Sequence, residues 1–259
     1  MKNSKRLCNQ WVRFFCFAAA GIMCLSLFYS RAVKAEDTLH VGHFSSATPG
    51  EAVPAEWEPL VFINIDARTR YTVVEIDGTV AVKAESQASA AGLIRKIHID
   101  PLEDPVVTWR WKVMNILQKG DVSQKQGDDY PARLYITFAY DPSLLSFLDR
   151  VKYKTARILY GEYPPTGAIN YIWGSHAPIG MVVPNPFTER AMMIVVQTGE
   201  SRLNQWVQER RNILEDYRNA FRTDPPAISG VAVMTDTDNT GESAVAYFGD
   251  IVFEKAQGR

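Results

Sequence analysis

Val231-Ala-Val-Met-Thr-Asp-Thr-Asp-Asn-Thr-Gly-Glu-Ser-Ala-Val-Ala-Tyr-Phe-Gly-Asp-Ile-Val-Phe253 is two apolar, β-rich runs separated by a loop crowded with oxygen-bearing side chains. The runs read as the two strands of a hairpin. The loop, Thr235 to Gly241, places Asp236 and Asp238 two residues apart, and two carboxylates so close need a counter-charge, a cation or water. A loop held on a rigid β scaffold is a usual home for binding groups. Function is therefore expected at this end of the fold.

Working outward, the same pattern of short β-rich runs bounded by turn residues recurs. Strands are expected at 39–44, 60–64, 71–76, 79–84, 92–99, 106–113, 132–140, 168–173, 191–198, 228–234 and 244–253. Asp77-Gly78 is the clearest tight-turn signal. Two stretches break the pattern: 143–159 and 203–221 carry apolar residues at helical spacing and read as inserted amphipathic helices. Both are expected to dock on the sheet, with a membrane or partner surface as the alternative, since their charged faces mix both signs. The fold class is mainly β, a jelly-roll-type antiparallel β-sandwich with two inserted helices.

Residues 1–35 read as a signal peptide: Lys2, Lys5, Arg6 and Arg13 begin it, Phe14 to Tyr29 form its apolar core, and Val33 and Ala35 supply the small residues before the cleavage point. The remaining 36–259 reads as one domain with no further membrane span, exported to the periplasm or the medium. Cys8, Cys16 and Cys24 all lie in the leader, so the exported part has no disulfide and no thiol nucleophile. That part has 22 Lys and Arg against 29 Asp and Glu, a net charge of −7. Phosphate neutralisation needs a basic surface, so nucleic acid is not an expected partner.

The candidate chemistry lies on two strands and the loop. Strict alternation in Val107-Thr-Trp-Arg-Trp-Lys-Val113 puts Trp109, Trp111 and Val113 on a core face and Arg110 on the other. In Gly127-Asp-Asp-Tyr-Pro-Ala-Arg-Leu-Tyr-Ile-Thr-Phe138, Leu134, Ile136 and Phe138 point inward while Arg133, Tyr135 and Thr137 form a polar, aromatic strip. If these strands are neighbours, Arg110 and Arg133 share a face, with Asp128 and Asp129 as partners. The alternative is a purely structural Arg/Asp network. The ligand-binding set is Arg110, Asp128, Asp129, Arg133, Tyr135 and Trp173.

Asp236, Asp238 and Gly241 match the opening of a calcium loop, but Tyr247 stands where an EF-hand needs a bidentate Glu, and strands flank the loop. A looser calcium site on Asp236 and Asp238 is one expectation. A turn in which the side chains cap backbone amides is the other. Asp236, Asp238, Asp129 and Arg133 are expected to form one linked site, calcium-assisted or arginine-paired. Ser175-His176 lacks a nucleophile elbow, and the histidines lack a zinc-binding pattern.

Trp109-Arg-Trp111, the Gly127–Arg133 run, Asn170-Tyr-Ile-Trp-Gly174, Trp206-Val-Gln-Glu-Arg-Arg211 with Asp216-Tyr-Arg218, and Met234–Gly241 ending in Gly249-Asp-Ile-Val-Phe253 together resemble an exported bacterial family, domain of unknown function 3047. The resemblance covers most of the exported part and implies no activity. More loosely, Trp57, the Trp-Arg-Trp strand and the closing Gly-Asp-Ile strand are similar to galactose-binding-like jelly rolls and carbohydrate-binding modules. The expected function is an exported module that binds a glycan or other small polar ligand. The alternatives are a glycan-cleaving enzyme using paired carboxylates, and an envelope structural protein without a small ligand.

Overall fold

The computed structural model describes residues 38–160 and 163–256. The leader and its cysteines lie outside the described residues.

Two sheets make a sandwich. The first holds β11 (Val207–Asn212), β6 (Val106–Val113), β13 (Ser243–Glu254), β4 (Thr79–Gln87) and β3 (Arg70–Ile76) in that order, with β1 (Thr38–Gly42) pairing along the far half of β13. The second holds β2 (Glu58–Leu60), β5 (Ala90–Ile99), β12 (Ile228–Asp236), β7 (Arg133–Phe138), β8 (Gly167–Gly174), β10 (Thr188–Thr198) and β9 (Val182–Asn185). All described pairings are antiparallel except β8 with β10. Successive strands β4, β5, β6 and β7 alternate between the sheets, as do β11, β12 and β13. That alternation is what makes the sandwich jelly-roll-type.

The same alternation rules out the hairpin expected at 231–253. β12 and β13 are not a hairpin, because they belong to opposite sheets, and the oxygen-rich loop is an arch between layers. A two-residue hairpin does form at Asp77-Gly78, where both residues have positive φ (52° and 68°), as a type I′ turn requires.

The core follows the period-2 pattern. Trp109 stacks on Tyr171 at 5.1 Å and Trp111 meets Trp173 edge-on at 6.1 Å, so β6 of one sheet is joined to β8 of the other by large rings. Each such ring removes about 150–250 Å² from water. Leu134, Ile136 and Phe138 join them, fully buried, as alternation required.

The helices are shorter than expected. The first is α1 (Phe147–Tyr160), preceded by a single 3-10 turn whose Asp141 carboxylate accepts from the Ser143 amide. The second is only α2 (Ile213–Phe221). Residues 207–212, inside the helix expected over 203–221, form β11 instead, hydrogen-bonded along β6. Asn212 ends the strand and caps the helix, its side chain accepting from the Glu215 amide at 3.1 Å. Tyr171 donates to Asp216 at 2.8 Å, and Arg211 reaches the same carboxylate at 2.5 and 2.9 Å, fastening α2 to both sheets.

Candidate functional site

Alternation along the end of β12 decides the site. Thr235 and Thr237 turn inward, fully buried. Thr235 Oγ1 donates to the Pro131 carbonyl at 2.9 Å, and Thr237 Oγ1 shares a 2.8 Å hydrogen bond with Ser86 Oγ. Asp236 and Asp238 consequently face the other way, outward from the second sheet, into a pocket of about 410 Å³ that both residues line. Strand alternation thus separates Thr235 from Asp236, and the arch that follows repeats the division with a buried Thr237 and a pocket-lining Asp238.

Arg133 comes from β7, whose backbone pairs with β12 at Met234. Its Nε donates to Asp236 Oδ1 at 2.8 Å and its Nη2 to Asp236 Oδ2, a bidentate pair in which both side chains are almost fully buried. Nη2 also donates to the Asp128 carbonyl at 2.6 Å, and the guanidinium lies over the Tyr130 ring at 4.4 Å. The Asp128 carboxylate stands 3.9 Å from Nη1 and accepts from Asn185 Nδ2 at 2.7 Å through its other oxygen. Just before Asp128, Gly127 packs against the 119–121 loop, where a Cβ would sit 2.5 Å from the Asp121 amide nitrogen.

Asp129 plays a different part. Its Oδ2 accepts from the Thr240 amide at 2.6 Å and its Oδ1 from Asn239 Nδ2 at 3.0 Å. The arch is therefore capped by a carboxylate from a loop 111 residues earlier in the chain.

The electrostatics are unbalanced. Asp128, Asp129, Asp236 and Asp238 gather around one guanidinium. Burial lifts the Asp236 carboxyl to about 7 in spite of Arg133, and Asp129 and Asp128 add to the lift. Burial and the charge of Asp129 likewise raise Asp238. Burial works against the Arg133 cation, yet Asp236 and Asp128 outweigh it and hold the group charged.

Asp129, Asp236 and Asp238 each bring an oxygen within 4.8 Å of the others, and these are the residues that could hold a hard cation. The oxygens of Asp236 are already engaged by Arg133, however, and those of Asp129 by the arch. Of the two forms expected for the linked site, the geometry present is the arginine-paired one.

Asp128, Arg133, Tyr135, Asp236 and Asp238 line one pocket, and Asp129 braces it. Arg110 and Trp173 do not join them. β6 and β7 belong to different sheets, so the two arginines cannot share a face. Arg110 instead lies across Gly249 and stacks over the Trp206 ring at 5.1 Å. Trp173 is fully buried in the core, its indole nitrogen donating to the Gly199 carbonyl at 3.1 Å. His176 Nε2 lies 3.1 Å from the Gln118 carbonyl, and Ser175 is buried behind it.

Phe62, Ile65, Ala90, Asn185, Phe187 and Met234 complete the lining and carry no functional signal in the sequence, while Asn239 belongs to the loop at which function is expected. Phe62 fell within an expected strand, 60–64, that ends at Leu60. Asn185 ends β9 and Phe187 sits in the turn to β10, for which Pro184, Asn185 and Pro186 give a turn signal but no hint of function.

Residues 55–252 match the family described as "Protein of unknown function (DUF3047)". Among solved structures, the chain is similar to the Emp47p carbohydrate recognition domain at 9% identity, covering 85% of this chain and 95% of that one with a TM-score of 0.44. It is also similar to the xylan-binding module CBM15 at 11% identity, covering 86% and 99%, with a TM-score of 0.35. No curated protein matches the sequence.

Proposed function

We propose that this chain, which belongs to the DUF3047 family, is an exported envelope protein that binds a small polyhydroxylated ligand, a glycan, in the pocket on the outer face of the second sheet. One observation carries the proposal: aromatic faces and planar hydrogen-bonding groups converge on the same cavity. Tyr135, Phe62 and Phe187 offer rings, while Asp128, Asp238, Asn185 and Asn239 offer carboxylates and amides. Sugars present an apolar face of C–H groups and a rim of hydroxyls, which is the chemistry such a lining answers. The volume, about 410 Å³, lies in the range of small-ligand pockets and suits a short saccharide. Export rests on the leader-like residues 1–35.

Calorimetric titration of the protein with a panel of mono- to trisaccharides tests the proposal. Binding that Tyr135→Ala and Phe187→Ala each weaken about tenfold, with the melting temperature kept, is the expected result. A panel without binding, or binding indifferent to both substitutions, would sink it.

A glycan-cleaving reading is favoured by one fact, the Asp236 carboxyl lifted to about 7, where a general acid works. Both of its oxygens are turned to Arg133, though, so a proton held there is poorly placed for a leaving group. Binding without cleavage is the better-supported reading.

A further inference from the structure

α1 turns the wrong face to solvent for a helix that is merely docked on a sheet. Among the described side chains of the helix, Tyr153 is the buried one, 8% exposed; its hydroxyl donates to the Pro165 carbonyl at 2.8 Å and its ring stacks on Tyr140 at 5.4 Å. Asp149 accompanies it, paired with Arg190 of β10 at 2.6 Å. Phe147, Leu148 and Val151 point the other way and are 77, 70 and 50% exposed.

Helical spacing extends this apolar patch into two lysines. Phe147, Val151 and Lys154 follow one ridge at i, i+4 and i+7, and Leu148 and Lys152 follow the next. Arg150 and Arg157 lie further round, the first donating to the Leu145 carbonyl and the second stacking on Tyr163. Asp149, the only acidic residue of the helix, pairs with Arg190 at 2.6 Å and more loosely with the exposed Lys152 at 3.9 Å, so Arg150, Lys152, Lys154 and Arg157 leave the helix basic around its exposed apolar residues.

We propose that α1 lies on a membrane surface, with Phe147, Leu148 and Val151 set into the headgroup–acyl boundary and Lys152 and Lys154 on anionic headgroups. Two features select lipid over a protein partner. Three exposed apolar side chains fall far short of the roughly 800 Å² per partner that a stable protein interface buries, whereas shallow insertion needs no more. The patch is also edged by long basic side chains that can bury their stems and keep their charges in water. No helix among the described residues is long and apolar enough to cross a bilayer, so α1 would lie on the surface without spanning it.

The test is co-sedimentation with vesicles. Both sheets are built from residues within 38–254, so the chain 36–259, freed of the apolar leader, keeps the whole sandwich. It is expected to sediment with phosphatidylcholine vesicles containing phosphatidylglycerol, much less with phosphatidylcholine alone, and less again in high salt. F147S/L148S should lower the bound fraction about tenfold with an unchanged melting temperature, and K152E/K154E should abolish the preference for the anionic vesicles. Failure of the wild type to bind either vesicle, or equal binding by F147S/L148S, overturns the proposal. So does a self-association in sedimentation velocity that F147S/L148S removes, because it would assign the patch to a second copy of the chain.

Discussion

Arg133 and Asp236 stand 103 residues apart in sequence and form a buried bidentate ion pair, one from the start of β7 and the other from the end of β12. The pair holds the arch between the two sheets against the pocket floor. Arg133 also brings its positive charge to this group of four carboxylates, hydrogen-bonded to Asp236 and 3.9 Å from Asp128.

Arg133→Met should be severely destabilising above neutral pH. It removes the guanidinium that favours the ionised Asp236, so the buried carboxyl must either carry an uncompensated charge beside Asp128 and Asp129 or take up a proton, a loss of up to about 3–5 kcal/mol. Urea unfolding at pH 8 should show that loss, and at pH 5, where Asp236 can take up a proton, a smaller one. Equal losses at both pH values would mean that the arginine acts through packing alone.

The pH dependence follows from Asp236 itself. Its carboxyl sits at about 7 in the folded protein against an ordinary 3.8. Between these values the native state holds a proton that the unfolded chain has lost, so this group's contribution to stability falls as pH rises through 7. The stability of the wild type relative to Asp236→Asn should therefore decline from about pH 4 to 7, by at most about 1.4 kcal/mol per pH unit. A flat or rising difference in chemical denaturation would contradict the assignment.

Calcium should have little hold on the arginine-paired form. Millimolar calcium or chelator is expected to leave the melting temperature of the leader-free chain unchanged, because a cation must first displace Arg133 from Asp236 and the arch donors from Asp129. A concentration-dependent rise would show that the ion makes that exchange.

Asn185 orients the pocket by donating to Asp128, and Phe187 is fixed beside it by its amide, which donates to Asn185 Oδ1 at 2.9 Å. Asn185→Ala should cost little stability, about 1 kcal/mol, but weaken saccharide binding about tenfold. Paired thermal melts and calorimetric titrations would separate the two effects.

Gly249 lies under Arg110, where a Cβ would come within 2.5 Å of Arg110 Cγ. Gly249→Ala should lose about 1–3 kcal/mol by overpacking, and Arg110→Ala should recover much of it. Additive losses in the double-mutant cycle would place the strain elsewhere.

Which strand faces are buried is written in the local residue pattern. Period-2 alternation in β6 and β7 separated Trp109 and Trp111 from Arg110, and Leu134 and Ile136 from Arg133 and Tyr135, because successive strand side chains must point to opposite sides. The sequence also brought Asp129, Arg133, Asp236 and Asp238 forward as one linked group, since carboxylates so close together need a counter-charge. Which strand lies beside which is not a local property. Only the tertiary structure put β6 and β7 in different sheets, stranding Arg110, and turned an apparent last hairpin into an arch between layers. The same arrangement made a strand of residues 207–212, whose mixed charges fit a helix surface as well as a sheet edge until β6 offered hydrogen bonds. Phe62, Asn185 and Phe187 could not be read as site residues because their role depends on two loops meeting over the outer face of the second sheet. Long-range pairing brings such loops together, and no local pattern encodes it.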